Sequence, residues 1–116
     1  MDAFERLLCY VLDVHEIITP EQADGLLAGS VLHNQHGRVP YLLTFDDGFK
    51  SHVSVAKEIL DQYGVKAIFF VCPGLIDVPQ EHQRDAIARF IFDGHVRGTD
   101  IPDEMALMSW ADLDAL

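Results

Sequence analysis

Two adjacent carboxylates, Asp46 and Asp47, are the residues of this sequence with the clearest capacity for chemistry. They follow the apolar run from Val39 to Phe45, so they lie where a predicted strand ends and a loop begins. In parallel α/β folds, the loops at the carboxyl ends of strands build the active site. One carboxylate of such a pair can hold a cation while the other acts as a base on water. The pair therefore has the groups that metal-assisted hydrolysis requires.

A simple turn is the competing interpretation of the same residues. Asp-Asp-Gly also fits a turn in which an Asp caps the following helix, since Asp favours both places. Gly48 allows the backbone to turn sharply without placing a Cβ in the site. A motif this short has a high rate of false matches, so the surrounding elements must decide between the two interpretations.

The elements around the pair predict a βαβ unit. Val39 to Phe45 is expected to be a buried strand, and Ser51 to Tyr63 an amphipathic helix that Gly64 terminates. Lys66 to Cys72 is expected to be a second buried strand, ended by Pro73 and Gly74. Two strands joined in this way run parallel, with a right-handed crossover.

Helices are predicted on both sides of this unit. Apolar spacing predicts a helix over residues 3–17, and Thr19-Pro20-Glu21-Gln22 predicts the start of a second, running through about Ala28 to His33. A polar loop is expected over 34–38. Gln80 to His95 is expected to be helical with three apolar side chains inward: Ile87, Phe90 and Ile91. After a loop over 98–103, Ser109 and Asp112 have the spacing of a capping box that opens a last helix.

Composition excludes several classes of function. The chain has 116 residues and a net charge of -11, enough for one small domain and too acidic for nucleic acid or an anionic membrane surface. The two cysteines, Cys9 and Cys72, have no metal-binding or redox spacing and are expected to be buried hydrophobic residues. The N-terminus lacks the features of a signal peptide, and no apolar run could span a membrane. A cytosolic or already processed protein is expected.

The run Tyr41-Leu42-Leu43-Thr44-Phe45-Asp46-Asp47-Gly48-Phe49 resembles the first catalytic motif of the polysaccharide deacetylases, the NodB-homology group of carbohydrate esterases. Residues 56–60 and 63–71 resemble the segments that follow this motif, and Met108-Ser109-Trp110 resembles the segment before the second motif. The similarity covers about Val39 to Leu116. Motif, spacing and second strand agree, so the resemblance favours a catalytic role for the carboxylates over a simple turn.

The resemblance implies an α/β fold that is part of a distorted (β/α) barrel of the glycoside hydrolase and deacetylase type. It implies that Asp46 is the catalytic base and that Asp47 is a ligand of a divalent metal, with zinc expected and other divalent cations open. The implied reaction is hydrolysis of an N-acetyl or O-acetyl group on a carbohydrate substrate. Oligomeric state, substrate and the choice between the two linkages stay open, as does the cyclic-amide hydrolysis of related enzymes.

The chain departs from the family where the metal site should be completed. A His-x-x-x-His motif is missing among its six histidines: His15, His33, His36, His52, His82 and His95. We therefore expect residues 1–38 to form an N-terminal helical segment and residues 39–116 the first part of a catalytic domain. We expect the chain to be a fragment that ends before the missing motif, with weak or no catalysis by itself.

Two other interpretations stay open at the level of sequence. An inactive module of the same fold could bind sugar or a partner chain. An Asp-dependent phosphotransfer domain also places carboxylates at a strand end around Mg²⁺, although the sequence has no Asp-x-Asp-x-Thr after the first strand.

Overall fold

Helices and short strands alternate along the chain in a computed structural model, which describes residues 2–30 and 37–116. The helices are α1 (Ala3–Val14), α2 (Pro20–Leu27), α3 (Ser51–Val55), α4 (Asp61–Tyr63), α5 (Pro73–Ile76), α6 (Gln80–Phe90) and α7 (Trp110–Asp114). The strands are β1 (Glu16–Ile17), β2 (Pro40–Tyr41), β3 (Leu43–Phe45) and β4 (Ala67–Phe69). This mixture confirms the expected α/β class. None of the helices within the described ranges has the length and apolar character that crossing a membrane requires.

The strands form two small sheets of two strands each. β1 and β2 are parallel, with Glu16 opposite Pro40 and Ile17 opposite Tyr41. β3 and β4 are neighbours in the second sheet, and beyond them the amide of Phe70 donates to the carbonyl oxygen of Phe45 at 2.8 Å. The described residues thus form no closed barrel.

Two compact units divide the chain. The first comprises Met1–Thr44 and Ile59–Ile68, and the buried apolar side chains among its described residues are Leu8, Ile18, Ile59 and Leu60. The second comprises Phe45–Glu58 and Phe69–Leu116. Its core cluster consists of Leu75, Ile87, Ala88, Ile101 and Leu107. The second unit holds the carboxylate pair.

The predicted helix ends are confirmed where local chemistry sets them. The hydroxyl of Thr19 accepts from the amide of Gln22 at 3.2 Å, and the Gln22 side chain accepts from the Thr19 amide at 2.8 Å. Gly64 ends α4 with a positive φ of 64°, a conformation that costs glycine nothing. Between α3 and α4 the helix continues through a π-helical stretch, Ala56–Leu60.

The N-terminal helix is shorter than the apolar spacing predicts. α1 ends at Val14, because Glu16 and Ile17 leave the helix to pair with β2. A strand partner supplied by residues 40–41 outweighs helix propensity here, since the β-branched Ile17 is suited to a strand. The second helix ends at Leu27 rather than near His33. His33, His36 and the predicted segment over 31–36 lie outside the described residues.

The strand predicted over Val39 to Phe45 is wrong in two respects. The segment is split at Leu42 into β2, which pairs with β1, and β3, which pairs with β4. It is also not buried: Val39 and Tyr41 are 56% and 46% exposed. Two-stranded sheets leave much of their surface uncovered, whereas the prediction assumed a sheet covered on both faces.

The later segments show the same shortening. The strand predicted over Lys66 to Cys72 is reduced to β4, and Phe70 just beyond it is 56% exposed. α6 ends at Phe90, which is 61% exposed rather than inward. The inward position of Ile87 is confirmed, and Ile91 is partly buried against the core cluster. Gln83 and Ala88 complete the buried face of α6. Cys9 lies in α1 and Cys72 beyond β4, and both are half-buried rather than buried.

Replacing Ile87 by Ala should lower the free energy of unfolding by about 2–4 kcal/mol, because the side chain is 1% exposed and its loss leaves a cavity. Phe90→Ala on the same helix is the matched control and should cost under about 1 kcal/mol, since most of that ring faces solvent. Urea unfolding of both variants measures the difference. Equal losses would contradict the assignment of the buried face of α6.

Candidate functional site

The carboxylate pair lies in the loop between β3 and α3, in the second unit. Asp46 is exposed, whereas Asp47 is half-buried and adopts a positive φ of 70°. Asp is one of the few residues besides glycine that visits this left-handed region, at a cost that the surrounding structure must offset. Within the described residues, neither carboxylate accepts a hydrogen bond or forms an ion pair. Both remain available to water or to a cation.

Gly48 fixes the course of this loop. It is buried, with φ of 74°, and a Cβ built on it would lie 3.1 Å from Cγ1 and 3.3 Å from Cα of Val71. A side chain at this position would therefore combine backbone strain with a collision against the segment that follows β4. Glycine is therefore favoured as the third residue of the Asp-Asp-Gly motif, because the carboxylate loop and the segment after β4 approach closely at this position.

Backbone hydrogen bonds join the loop to the segment 106–108. The amide of Lys50 donates to the carbonyl oxygen of Ala106 at 2.7 Å, and the amide of Met108 donates to that of Gly48 at 2.9 Å. Between these bonds, Phe49 and Leu107 form an antiparallel bridge. The Met108-Ser109-Trp110 segment is thereby held beside the carboxylate loop.

The first turn of α7 adds a second connection to this loop. The Ser109 hydroxyl accepts from the Asp112 amide at 3.2 Å, and the Asp112 carboxylate accepts from the Ser109 amide at 2.9 Å, so the predicted capping box is confirmed. The hydrogen bonds that the Asp112 carboxylate accepts from the Ser109 amide and from the Ser109 hydroxyl lower the pKa of Asp112. Its carboxylate also lies 3.6 Å from the ammonium nitrogen of Lys50. The positive charge nearest to the pair in the sequence is thus directed to α7.

His52 lies on the first turn of α3, as predicted, in an aromatic environment. Its ring centroid is 5.0 Å from that of Phe45, 5.8 Å from that of Phe49 and 6.3 Å from that of Phe69. Burial lowers the pKa of His52 from its ordinary value of 6.5, and the negative charges of Asp47 and Asp46 oppose this shift. Its Nδ1 atom is buried without a hydrogen-bond partner. Burial therefore favours the neutral form of His52, and the charges of the carboxylate pair oppose it.

Sequence reasoning gave His52 no role, although the charges of both carboxylates reach it. The weak signal was its position six residues after Asp46, on the helix that leaves the motif. What the sequence does not indicate is that Phe45 and Phe69, from the two strands of one sheet, enclose the ring. Those contacts depend on strand pairing and not on local spacing.

A complete metal site is not formed by the residues that the structure describes. Among them, no group of three or more His, Cys, Asp or Glu side chains could hold a metal ion. A catalytic zinc site normally uses three protein ligands. The described side chains near the loop therefore supply fewer ligands than the divalent metal implied by the resemblance would need.

One comparison with known proteins identifies the chain. Residues 33–108 match the family model described as polysaccharide deacetylase, which is well over half of the sequence. The matched range contains the carboxylate loop, β3, β4 and the segment that pairs with the loop. No curated protein and no solved structure matches the chain.

Gly48→Ala should lower the free energy of unfolding by about 2–3 kcal/mol, the sum of left-handed strain and the contact with Val71. Gly64→Ala is the matched control, because Gly64 has a similar φ but nothing within 4 Å of the added Cβ. The control should cost only about 1 kcal/mol. Thermal or urea unfolding compares them, and a Gly64→Ala loss as large as that of Gly48→Ala would refute the packing argument.

Asp47→Asn should move the pKa of His52 further below 6.5, because Asp47 makes the larger of the two carboxylate contributions that raise this pKa. An NMR titration of the imidazole protons measures this shift, with His52→Gln to assign the signal. Asp93→Asn is the control: Asp93 also has a positive φ, of 51°, and is not among the causes of the His52 shift. A His52 pKa that rises in Asp47→Asn would contradict the electrostatic picture.

The same histidine gives stability a dependence on pH. Because the folded-state pKa of His52 is lowered, the neutral imidazole favours the folded state. This contribution is fully present above pH 6.5 and is lost as the pH falls from there through the lowered value. Urea unfolding at a series of pH values should show a smaller acid loss for His52→Gln than for the parent chain. An equal loss in the two proteins would count against this role.

Proposed function

Because the chain belongs to the polysaccharide deacetylase family, we propose that it acts as a hydrolase that removes acetyl groups from a carbohydrate. The bond cleaved is a non-peptide carbon–nitrogen bond in an N-acetyl sugar, or the corresponding ester in an O-acetyl sugar. The observation that carries this proposal is the carboxylate loop itself. It presents one exposed and one half-buried aspartate, neither of them engaged by the described residues, inside the range that matches the family.

Asp46 is the general base of this proposal. Its exposure gives water access to the carboxylate, and a base must lie within hydrogen-bonding reach of the proton that it removes. Water adds through its oxygen to the acetyl carbonyl carbon as Asp46 accepts the water proton. The tetrahedral intermediate then collapses, the bond to the sugar nitrogen or oxygen breaks, and the proton passes to the leaving group. Acetate and a free amine or hydroxyl result.

Asp47 is proposed as a metal ligand. The family is generally metal-dependent, and we expect zinc, with other divalent cations as alternatives. The half-buried position of Asp47 favours a fixed carboxylate over a freely rotating one. The described residues do not complete a metal site, so the roles proposed for this reaction are those of the two carboxylates. The family also implies a NodB-type fold, and we propose that the two small sheets correspond to the first part of its distorted (β/α) barrel.

Domain organisation follows from the same proposal. Residues 39–116 would belong to the deacetylase domain and residues 1–38 to a helical segment before it. The family match begins at residue 33, close to this boundary. Acetylated carbohydrate is the proposed substrate class. The chain's net charge of -11 favours a neutral polymer over an anionic one.

Asp46→Asn should reduce acetate release by about 10²-fold or more, because asparagine cannot accept the proton. Acetate is measured enzymatically after incubation with chitin oligomers or acetylated xylan, with and without added Zn²⁺. Asp47→Asn should abolish the stimulation by Zn²⁺. Asp93→Asn is the control for a charge change at an aspartate outside the loop and should retain activity.

Two outcomes would overturn the proposal. Full activity in Asp46→Asn would remove the base from this position. Acetate release by the parent chain is expected to be weak, because the described residues do not complete a metal site. Its absence at every metal and substrate tested would refute hydrolysis by the chain itself.

A further inference from the structure

Trp110 is an exposed aromatic side chain that is nevertheless fixed in place. The residue is 50% exposed, although tryptophan is the largest apolar side chain. Its indole N–H donates to Oδ1 of Asp77, at 2.8 Å, in the segment just after α5. Because the one polar atom of the indole is engaged, the exposed surface of the ring is apolar carbon. Water gains no hydrogen bond from that surface, so covering it with an apolar face of a ligand is favourable.

The position of Trp110 relates it to the carboxylate loop. It is the first residue of α7, two residues after Met108, whose amide donates to the carbonyl oxygen of Gly48. The Cα atom of Trp110 therefore lies within about 13 Å of that of Gly48, since paired strand residues are about 5.5 Å apart and each residue spans at most about 3.6 Å. The ion pair between Lys50 and Asp112 is a further contact between α7 and the loop. A distance of this size between Trp110 and the carboxylate loop is within the length of a short oligosaccharide.

Sugar rings have the chemistry that this arrangement accepts. One face of a pyranose presents C–H groups, which pack against the electron-rich face of an aromatic ring. The hydroxyl groups at its edge need hydrogen-bond acceptors. Asp77 is exposed, and within the described chain its second oxygen, Oδ2, accepts no hydrogen bond. A ring that stacks on Trp110 can therefore donate a hydroxyl to Asp77.

We propose that Trp110 and Asp77 form a subsite for one neutral sugar ring of the substrate, with Trp110 as the stacking surface and Asp77 as the residue that positions it. This inference rests on the proposed function, because it places the subsite beside the carboxylates that would act on a neighbouring sugar. It commits to a neutral acetylated oligosaccharide. A uronic-acid polymer would bring its carboxylates against Asp77 and against a chain of net charge -11.

Trp110 is the one tryptophan of the sequence, so tryptophan fluorescence reports directly on the proposed subsite. Titration of the full chain with N-acetylated chitin oligomers should give a saturable change in tryptophan fluorescence, and oligogalacturonate should give none. Calorimetry gives the affinity independently of the fluorophore. An absence of saturable binding to chitin oligomers and to acetylated xylan oligomers would overturn the subsite.

Variants separate a sugar-binding role from a merely structural one. Trp110→Ala should weaken oligosaccharide binding by about tenfold, the loss expected for one aromatic contact, whereas Trp110→Phe should retain part of it. Asp77→Asn keeps the acceptor oxygen and should hold the ring, while Asp77→Ala should weaken binding. Tyr10→Ala is the control, an aromatic residue of the first unit that is 64% exposed. Equal affinity of Trp110→Ala and the parent chain for the oligosaccharide would contradict the proposal.

The outcomes also distinguish this inference from the proposed function. Saturable binding that depends on Trp110, without acetate release, supports the subsite and contradicts hydrolysis by the chain. Acetate release with the same KM in Trp110→Ala supports hydrolysis and overturns the subsite. If Asp77→Ala changes only the unfolding midpoint and leaves the affinity intact, the hydrogen bond is structural and the positioning role is refuted.

Discussion

The backbone pairing between residues 48–50 and 106–108 is the constraint on which the second unit depends. It joins the loop that carries Asp46 and Asp47 to a segment almost 60 residues later, and it is made by main-chain atoms and not by charged side chains. Such hydrogen bonds are not screened by salt, and breaking one would leave a buried polar group without a partner. The side chains of Leu107 and Met108 are buried, at 6% and 1% exposure. The backbone pairing of residues 106–108 and the packing of the core therefore support each other. The two carboxylates can stay without a described hydrogen bond or ion pair because neither is needed to hold the loop.

Local chemistry explains which features could be predicted from the sequence. The Thr19 and Ser109 caps and the stop at Gly64 are each decided within four residues, because a cap needs only its own side chain and the next turn of backbone. The carboxylate loop was located for a similar reason: a run of β-forming residues ended at a turn. In contrast, the split of residues 39–45 between two sheets and the strand at Glu16 and Ile17 depend on partners distant in the sequence. Pairing of this kind leaves no periodic pattern in either segment.

The surroundings of His52 show the same limit at the level of the site. Phe45 precedes the motif, Phe49 follows it, and Phe69 belongs to β4, so only the sheet brings the three rings to one imidazole. From spacing alone, His52 was an ordinary residue of a helix start. Its lowered pKa results first from burial, which is a property of the fold, and only then from the nearby aspartates. The sequence locates the two aspartates, but it does not indicate the burial and the aromatic contacts that determine the pKa of His52.

Electrostatics connects these neighbours to the proposed chemistry. A protonated His52 or a free Lys50 ammonium could neutralise the carboxylate pair and compete with a divalent cation. Burial favours the neutral form of His52, and the Asp112 carboxylate lies 3.6 Å from the ammonium nitrogen of Lys50. That ion pair is exposed and contributes little to stability, yet it directs the lysine towards α7. A chain of net charge -11 attracts cations by simple Coulomb attraction, and no described ion pair occupies either aspartate of the loop. This arrangement supports the proposed role of Asp47 as a ligand, and it leaves the Asp46 carboxylate accessible for its proposed role as a base.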